Sequence, residues 1–178
     1  MLAGRSGSGS LASLSASRLD ALLSELGDLT YDMIVLDLGA GLEPNTRRLA
    51  AWADLLLVVA TDEPTSITDA YAVIKLHALD RPGGDVRIVV NQAASPASGR
   101  RTYETLARAC QQFLGSRPPL AGVVRRDDHV RDAIRRQTSL LILHRDCHAA
   151  GDVRQIAQAI RQQLLSLNFP ATETAMGR

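Results

Sequence analysis

The sequence predicts an α/β domain built on a mostly parallel sheet with helices on both faces. Three observations predict it. The apolar runs Met33–Leu36, Leu55–Ala60 and Val86–Val90 lack polar alternation, as strands buried on both faces do. Segments with helical apolar spacing separate and follow them. The runs end on polar residues, Asp37, Thr61-Asp62 and Asn91, where βαβ units carry their ligand-facing loops. At 178 residues and 46% hydrophobic, the chain can form one packed domain. A net charge of +1 supplies no strong field for nucleic acid or membrane. Two cysteines, Cys110 and Cys147, do not make a disulfide framework. No apolar run reaches membrane-spanning length and no signal-peptide pattern opens the chain, so a cytoplasmic protein is expected.

Taken in order, residues 1–10 are rich in glycine and serine and read as a flexible lead-in. GRSGSGS has no lysine and no strand before it, so it is not a phosphate loop. Ser17–Leu26 reads as a helix with Leu19, Leu22, Leu23 and Leu26 on one face, and Ser17 with Asp20 in capping-box spacing. The Met33–Leu36 run is expected as a strand ending at Asp37. Pro44 starts a short helix carrying Leu49 and Trp52. After Leu55–Ala60, Pro64 stops the strand, Ser66 and Asp69 again have capping-box spacing, and Ile67, Tyr71, Ile74 and Ala78 form a buried stripe. Pro82-Gly83-Gly84 is a turn into Val86–Val90. A polar loop through Gly99 precedes a helix with Tyr103, Leu106, Ala107, Cys110 and Leu114 on one face, ended by Pro118-Pro119. Leu120–Val124 is a short strand, Val130, Ala133 and Ile134 mark a short helix, and Leu140–Leu143 reads as strand or extended chain. A last helix spans about Ala149 to Leu167, with Val153, Ile156, Ala157, Ile160 and Leu164 on one stripe, before a loose tail at 168–178.

In a parallel sheet, ligands sit beyond the carboxyl ends of the strands. The residues expected there are Asp37–Gly41, Thr61–Thr65, Asn91 and Arg125–Asp128, and they are mostly polar. A carboxylate such as Asp37 at a strand end can hold Mg²⁺ or its water shell. Gly39 and Gly41 allow backbone N–H groups close to a phosphate, as in the second acidic motif of P-loop nucleotidases.

YDMIVLDLGAG, DEPTSITDAYAVIKL, VVNQ and GVVRRDDHVRDAIRRQ together resemble the MinD/ParA group of P-loop ATPases, and within it the FlhG/FleN (YlxH) branch. The resemblance runs from about Leu11 to Leu164, which makes residues 11–167 a partial MinD/ParA-like ATPase domain. It implies the P-loop NTPase fold, with ATP or ADP and Mg²⁺ as cofactors. Carried over residue by residue, it puts Asp37 in the Mg²⁺ shell and Gly41 with its neighbours, Gly39 among them, in the switch that senses the γ-phosphate. Asn91 falls at adenine, and Arg126 and Asp127 in the adenine-side loop. Two positions depart from the pattern: Arg125 stands where proline is common, and Leu38 where Thr or Ser is common.

Family members begin with a deviant P-loop, KGGxGK[ST], whose strand lies inside the sheet. That motif does not occur here, so the chain resembles the carboxyl-terminal two-thirds of a member and is expected not to hydrolyse ATP. Without that strand, unpaired strand edges or apolar surface are expected. The function implied is control of flagellar number or placement, or a similar positioning task, through nucleotide-dependent dimerisation. Expected partners are a second copy and a flagellar SRP-type GTPase or regulator. The alternative is a non-catalytic protein-binding module on the same fold.

Other constellations read as structural. Lys75, the only lysine, lies several residues into a helix. His144, Cys147 and His148 with Asp146 lack a distant second pair of ligands and read as loop and helix start. Arg47-Arg48, Arg100-Arg101, Arg125-Arg126 and Arg135-Arg136 read as solvated faces, so nonspecific DNA binding is not expected. Membrane association is expected to be weak or absent, at most peripheral at the inner membrane.

Overall fold

A computed structural model describes residues 14–168, with side chains to residue 164. The lead-in, residues 11–13 and the tail from 169 on lie outside the described residues. Three strands, β1 (Leu55–Ala60), β2 (Asp85–Ala93) and β3 (Leu120–Arg125), form a parallel sheet in the order β1-β2-β3. Around them lie α1 (Ala16–Gly27), α2 (Pro44–Trp52), α3 (Pro64–Asp80), α4 (Pro96–Leu114), α5 (Asp128–Arg135), α6 (Leu140–Leu143) and α7 (His148–Asn168).

Sheet pleating decides which helix covers which face. Val58, Ala60, Ile88 and Val90 point to one side and pack with Ala70 and Ile74 of α3 and Leu106 and Cys110 of α4. Val123 meets Gly99 of α4, whereas its neighbour Gly122 meets Ile156 of α7. Consecutive strand residues face opposite sides, so α4 and α7 cover opposite faces, as the sequence predicts. Both glycines are there for close approach. A Cβ at Gly99 would stand 2.3 Å from Val123 Cγ1, and one at Gly122 would stand 2.4 Å from Ile156 Cγ1. The α7 layer ends before β1, so Leu57 and Val59 are exposed on that face, Val59 at 58%.

Polar contacts fix the outer helices. Arg47 of α2 makes a two-pronged pair with Asp80 of α3, at 2.8 and 2.5 Å. Arg81 donates to the carbonyls of Ala51 and Ala53. Arg48 pairs with Asp20 of α1, and Asn45 Nδ2 donates to Leu14 O at 3.0 Å. Leu19 and Leu26 are the buried face of α1, on the stripe the spacing predicts.

Several sequence expectations need correction. The Met33–Leu36 run is not a strand buried on both faces. Residues 33–38 keep a strand's alternation, with Ile34, Leu36 and Leu38 half-buried and Met33, Val35 and Asp37 exposed, but have no ladder partner among the described residues. Val35 is 81% exposed. An apolar run becomes a buried strand only when another strand offers its backbone, and among the described residues β1, the sheet's outermost strand on this side, pairs only with β2. Leu140–Leu143 forms a helical turn under Ser139, because Ile142 and Leu143 N–H groups both return to Ser139 O.

Helix starts also move. Ser15, not Ser17, caps α1. Ser66 lies inside α3, where its Oγ accepts the Thr61 N–H at 2.9 Å and closes the β1–α3 loop. Helix α4 begins before Gly99, because Ser95 and Ser98 form a reciprocal capping box and Pro96 suits the first turn. It ends at Gly115 in the left-handed conformation (φ 69°), ahead of the prolines.

Gly99→Ala is expected to destabilise the domain by a net ~1–2 kcal/mol, since overpacking against a β-branched side chain exceeds alanine's helix preference. A urea melt showing no loss of stability would contradict this packing.

Candidate functional site

The carboxyl edge of β2 and β3 is set by an irregularity. Pairing runs from Ile88↔Leu120, shifts once to Val89↔Gly122 and Val90↔Val123, then shifts again, and Ala93 pairs with Arg125. Gln92 is forced outward with φ 55°, a left-handed conformation rare for a residue other than glycine. Asn91 lies within this bulge, and its Oδ1 accepts the Gln92 N–H at 2.9 Å. Bulges commonly re-aim side chains beside binding sites. Beyond it, Arg126 N–H donates to Ala93 O at 2.8 Å. The structure thus brings Asn91, Arg126 and Asp127 to one rim, with Arg126 exposed.

Two carboxylates hold that rim. Asp152, at the first turns of α7 and mostly buried, accepts from Arg125 Nε at 2.8 Å, from Nη2 at 2.7 Å and from the Arg125 backbone N–H at 3.0 Å. The Arg125 guanidinium therefore turns inward to α7, and its hydrogen bonds hold the Asp152 carboxyl below its ordinary range against the effect of burial. Asp127 caps α5 through His129 N–H at 3.1 Å and reaches α7 through Ala149 N–H at 3.2 Å. Its Oδ1 lies 2.7 Å from His129 Nδ1. Burial pushes the Asp127 carboxyl up, but these hydrogen bonds outweigh burial and hold it well below the usual carboxylate range.

The other sequence-predicted residues stand elsewhere. Asp37 and Gly39 are exposed in the unpaired 33–38 segment and just after it. Gly41 lines a cavity of about 30 Å³ with Thr46, Arg47, Leu56, His77 and Asp80. Leu56 lies at the start of β1 and Asp80 closes α3, so this cavity is on the amino side of the sheet, away from Asn91 and Arg126. His77 is buried there with Nδ1 unpartnered among the described residues, and burial lowers its pKa. Lys75 is exposed on α3.

Sequence reasoning missed Gln92 and Asp152. Nothing in Asn91-Gln92-Ala93 signals a bulge, since no glycine marks it. Asp152 had a signal, an acid beside the apolar stripe of the last helix where solvent would have been its default environment.

For an adenine nucleotide, the described residues fit unevenly. Asn91 and Arg126 offer hydrogen-bonding groups on one rim, suited to a purine edge. Asp127 has both oxygens committed to capping and to His129. No glycine-rich phosphate loop followed by lysine occurs in the sequence, and among the described residues Asp37 has no structured partner to help it hold Mg²⁺. The residues present fit the adenine half of the ligand and do not fit the phosphate half.

An open parallel sheet with polar groups gathered beyond its carboxyl edge is the arrangement in which α/β proteins of this class hold their ligands. Comparison narrows that class. The chain is 32% identical over 165 residues to the antiactivator FleN of Pseudomonas aeruginosa, covering 92% of this chain and 59% of FleN. It is 35% identical over 102 residues to the flagellum site-determining protein YlxH of Helicobacter pylori, covering 57% of this chain and 34% of YlxH. It therefore spans less than two thirds of either relative. No family model matches the chain. In fold it is similar to the MinD cell division protein of Aquifex aeolicus (TM-score 0.66, 20% identity, 84% of this chain and 61% of that one). It is also similar to MinD of Pyrococcus horikoshii complexed with Mg-ADP (TM-score 0.63, 16% identity, 85% of this chain and 58% of that one). In sequence the chain is thus a relative of FleN and YlxH, the FlhG/FleN branch of the MinD/ParA group, and in fold it is similar to MinD.

Asp152→Ala leaves the Arg125 guanidinium and backbone N–H without their acceptor, at an expected cost of ~2–3 kcal/mol. Because Asp152 has a lower pKa folded than unfolded, its contribution is complete above about pH 4 and is lost as pH falls through the folded value. Thermal melts should therefore show a steep acid limb below about pH 4 that is flatter in Asp152→Asn. Parallel limbs would contradict the assignment.

Proposed function

We propose that this chain serves as a nucleotide-responsive regulatory domain controlling flagellar number or placement, and that its rim at Asn91, Arg126 and Asp127 is the adenine end of the nucleotide site. The observation that carries the reading is the similarity to FleN over 92% of the chain, joined to a polar rim at the carboxyl edge of β2 and β3. In this reading Asn91 hydrogen-bonds adenine, and Arg126 and Asp127 form the loop beside it. Asp37 belongs to the Mg²⁺ shell and Gly39 and Gly41 to the switch once a phosphate-binding loop is supplied. ATP-dependent dimerisation with slow hydrolysis is the parent activity, and no hydrolytic step is assigned to the residues described. The partner of a MinD, in the Aquifex aeolicus MinC:MinD complex, is a second protein. By analogy a regulatory protein or a flagellar SRP-type GTPase is the partner proposed here.

A second reading, a protein-binding module that needs no nucleotide, is favoured by exposed Val35 and Val59.

Calorimetry separates the two. The first reading predicts weak binding of ADP and ATP, reduced about tenfold in Asn91→Ala as expected for one lost directional contact of ~1.4 kcal/mol. Absence of any binding would leave the protein-binding module. Mg²⁺-dependent turnover abolished by Asp37→Ala would contradict the assignment of no hydrolysis to this chain.

A further inference from the structure

The geometry points to a transition-metal site formed by Asp127, His129 and Cys147, with zinc as the ion it suits best. A carboxylate oxygen, a ring nitrogen and Sγ of these three residues all lie within 4.8 Å of one another. A tetrahedral zinc ion with bonds of about 2.0–2.3 Å needs its ligands roughly 3.3–3.7 Å apart. The difference is within the reach of side-chain rotation, and the His129 ring is exposed. A mixed oxygen, nitrogen and thiolate set selects a borderline ion such as Zn²⁺ over Mg²⁺ or Ca²⁺, which take oxygen ligands.

Three features beyond proximity favour this. The ligands are oriented from behind. His129 and Ala149 N–H groups fix the two oxygens of Asp127, and the Ala150 N–H donates to Cys147 Sγ at 3.4 Å. Such outer contacts hold metal ligands in place. Cys147 immediately precedes α7, where Ser, Thr, Asp or Asn would cap better, so helix capping alone does not account for a thiol there. A second imidazole is at hand. The His144 ring packs 4.4 Å from that of His129, with its Nε2 held by Asp132 at 2.8 Å. Three protein ligands with one side open leave the fourth position to water or to an exchangeable ligand. The sequence pattern around His144, Cys147 and His148 did not reveal this set, because Asp127 and His129 come from the start of α5, about 20 residues earlier in the chain.

His129 would ligate as neutral imidazole with its proton on the other ring nitrogen, and Cys147 would ligate as thiolate, its thiol proton passing to solvent. It would tie the β3–α5 connection to the start of α7 and so fix the rim that carries Arg126. The site shares Asp127 with the proposed adenine-side loop, but its other ligands, His129 and Cys147, take no part in the nucleotide reading.

Cobalt(II) is the probe, added to the purified full chain without nucleotide. One equivalent should bind and give a thiolate-to-cobalt charge-transfer band, displaced by zinc. Cys147→Ser should abolish the band, and His129→Gln should weaken zinc binding by at least about 100-fold, beyond the usual penalty of an outer-shell change. Cys110→Ser should leave the band intact, and circular dichroism of each variant establishes that it folds. Absence of stoichiometric cobalt binding, or a band retained in folded Cys147→Ser, would overturn the site. Because no nucleotide is present, failure here leaves the nucleotide reading standing, and failure of that reading leaves this one.

Discussion

The parallel pairing of β2 with β3, whose second register shift falls at Gln92, is the constraint on which the rest of the structure depends. Up to Val90↔Val123 the ladder is a packing device, placing Ile88 and Val90 against α3 and α4. Past the bulge it becomes a positioning device. The shift that leaves Gln92 left-handed lets Ala93 pair with Arg125 and accept from Arg126 N–H, which fixes where β3 ends. Arg125 can then turn to Asp152, and Asp127 can cap α5 while reaching the start of α7. A left-handed glutamine costs of order 1–3 kcal/mol, and such strain persists where surrounding contacts over-determine it. Here the Asp152 carboxylate and the Asp127 caps do so on one side, and the Asn91 side-chain Oδ1 on the other.

The opposite flank of the sheet is much less constrained. Strand β1 pairs only with β2, its far face carries exposed Leu57 and Val59, and residues 33–38 run extended with no ladder partner among the described residues. Burying a valine side chain contributes about 1.5–3 kcal/mol, so leaving Val35 and Val59 in water forgoes stabilisation that the sequence is composed to obtain. The chain is well ordered by packing where its strands have neighbours and only by alternation where they do not. The candidate site divides the same way, with a built polar rim on β2 and β3 and unsupported Asp37 and Gly39 on the other flank.

Much of the fold was legible in the residues. Leu55–Ala60 and Val86–Val90 carry solid apolar runs, and the stripe through Leu106 and Cys110 has helical period, so local pattern and tertiary burial agree. Met33–Leu36 carries the same pattern and failed as a strand, because pairing depends on a neighbour and not on the run itself. Helix starts were displaced where two cap-forming residues lay close together, as with Ser15 and Ser17, or where a serine served a loop, as with Ser66. At the site, Asn91, Arg126 and Asp127 could be placed on one edge from chain order alone. The bulge, the inward turn of Arg125 and the meeting of His129 with Cys147 could not, since each depends on residues distant in sequence coming into register.

Amide chemical-shift mapping with an adenine nucleotide tests the central claim most directly. The account predicts perturbations concentrated at Asn91, Gln92, Arg126 and Asp127 and reduced in Asn91→Ala. Perturbations confined to the amino side of the sheet, around Leu56, His77 and Asp80, would contradict it.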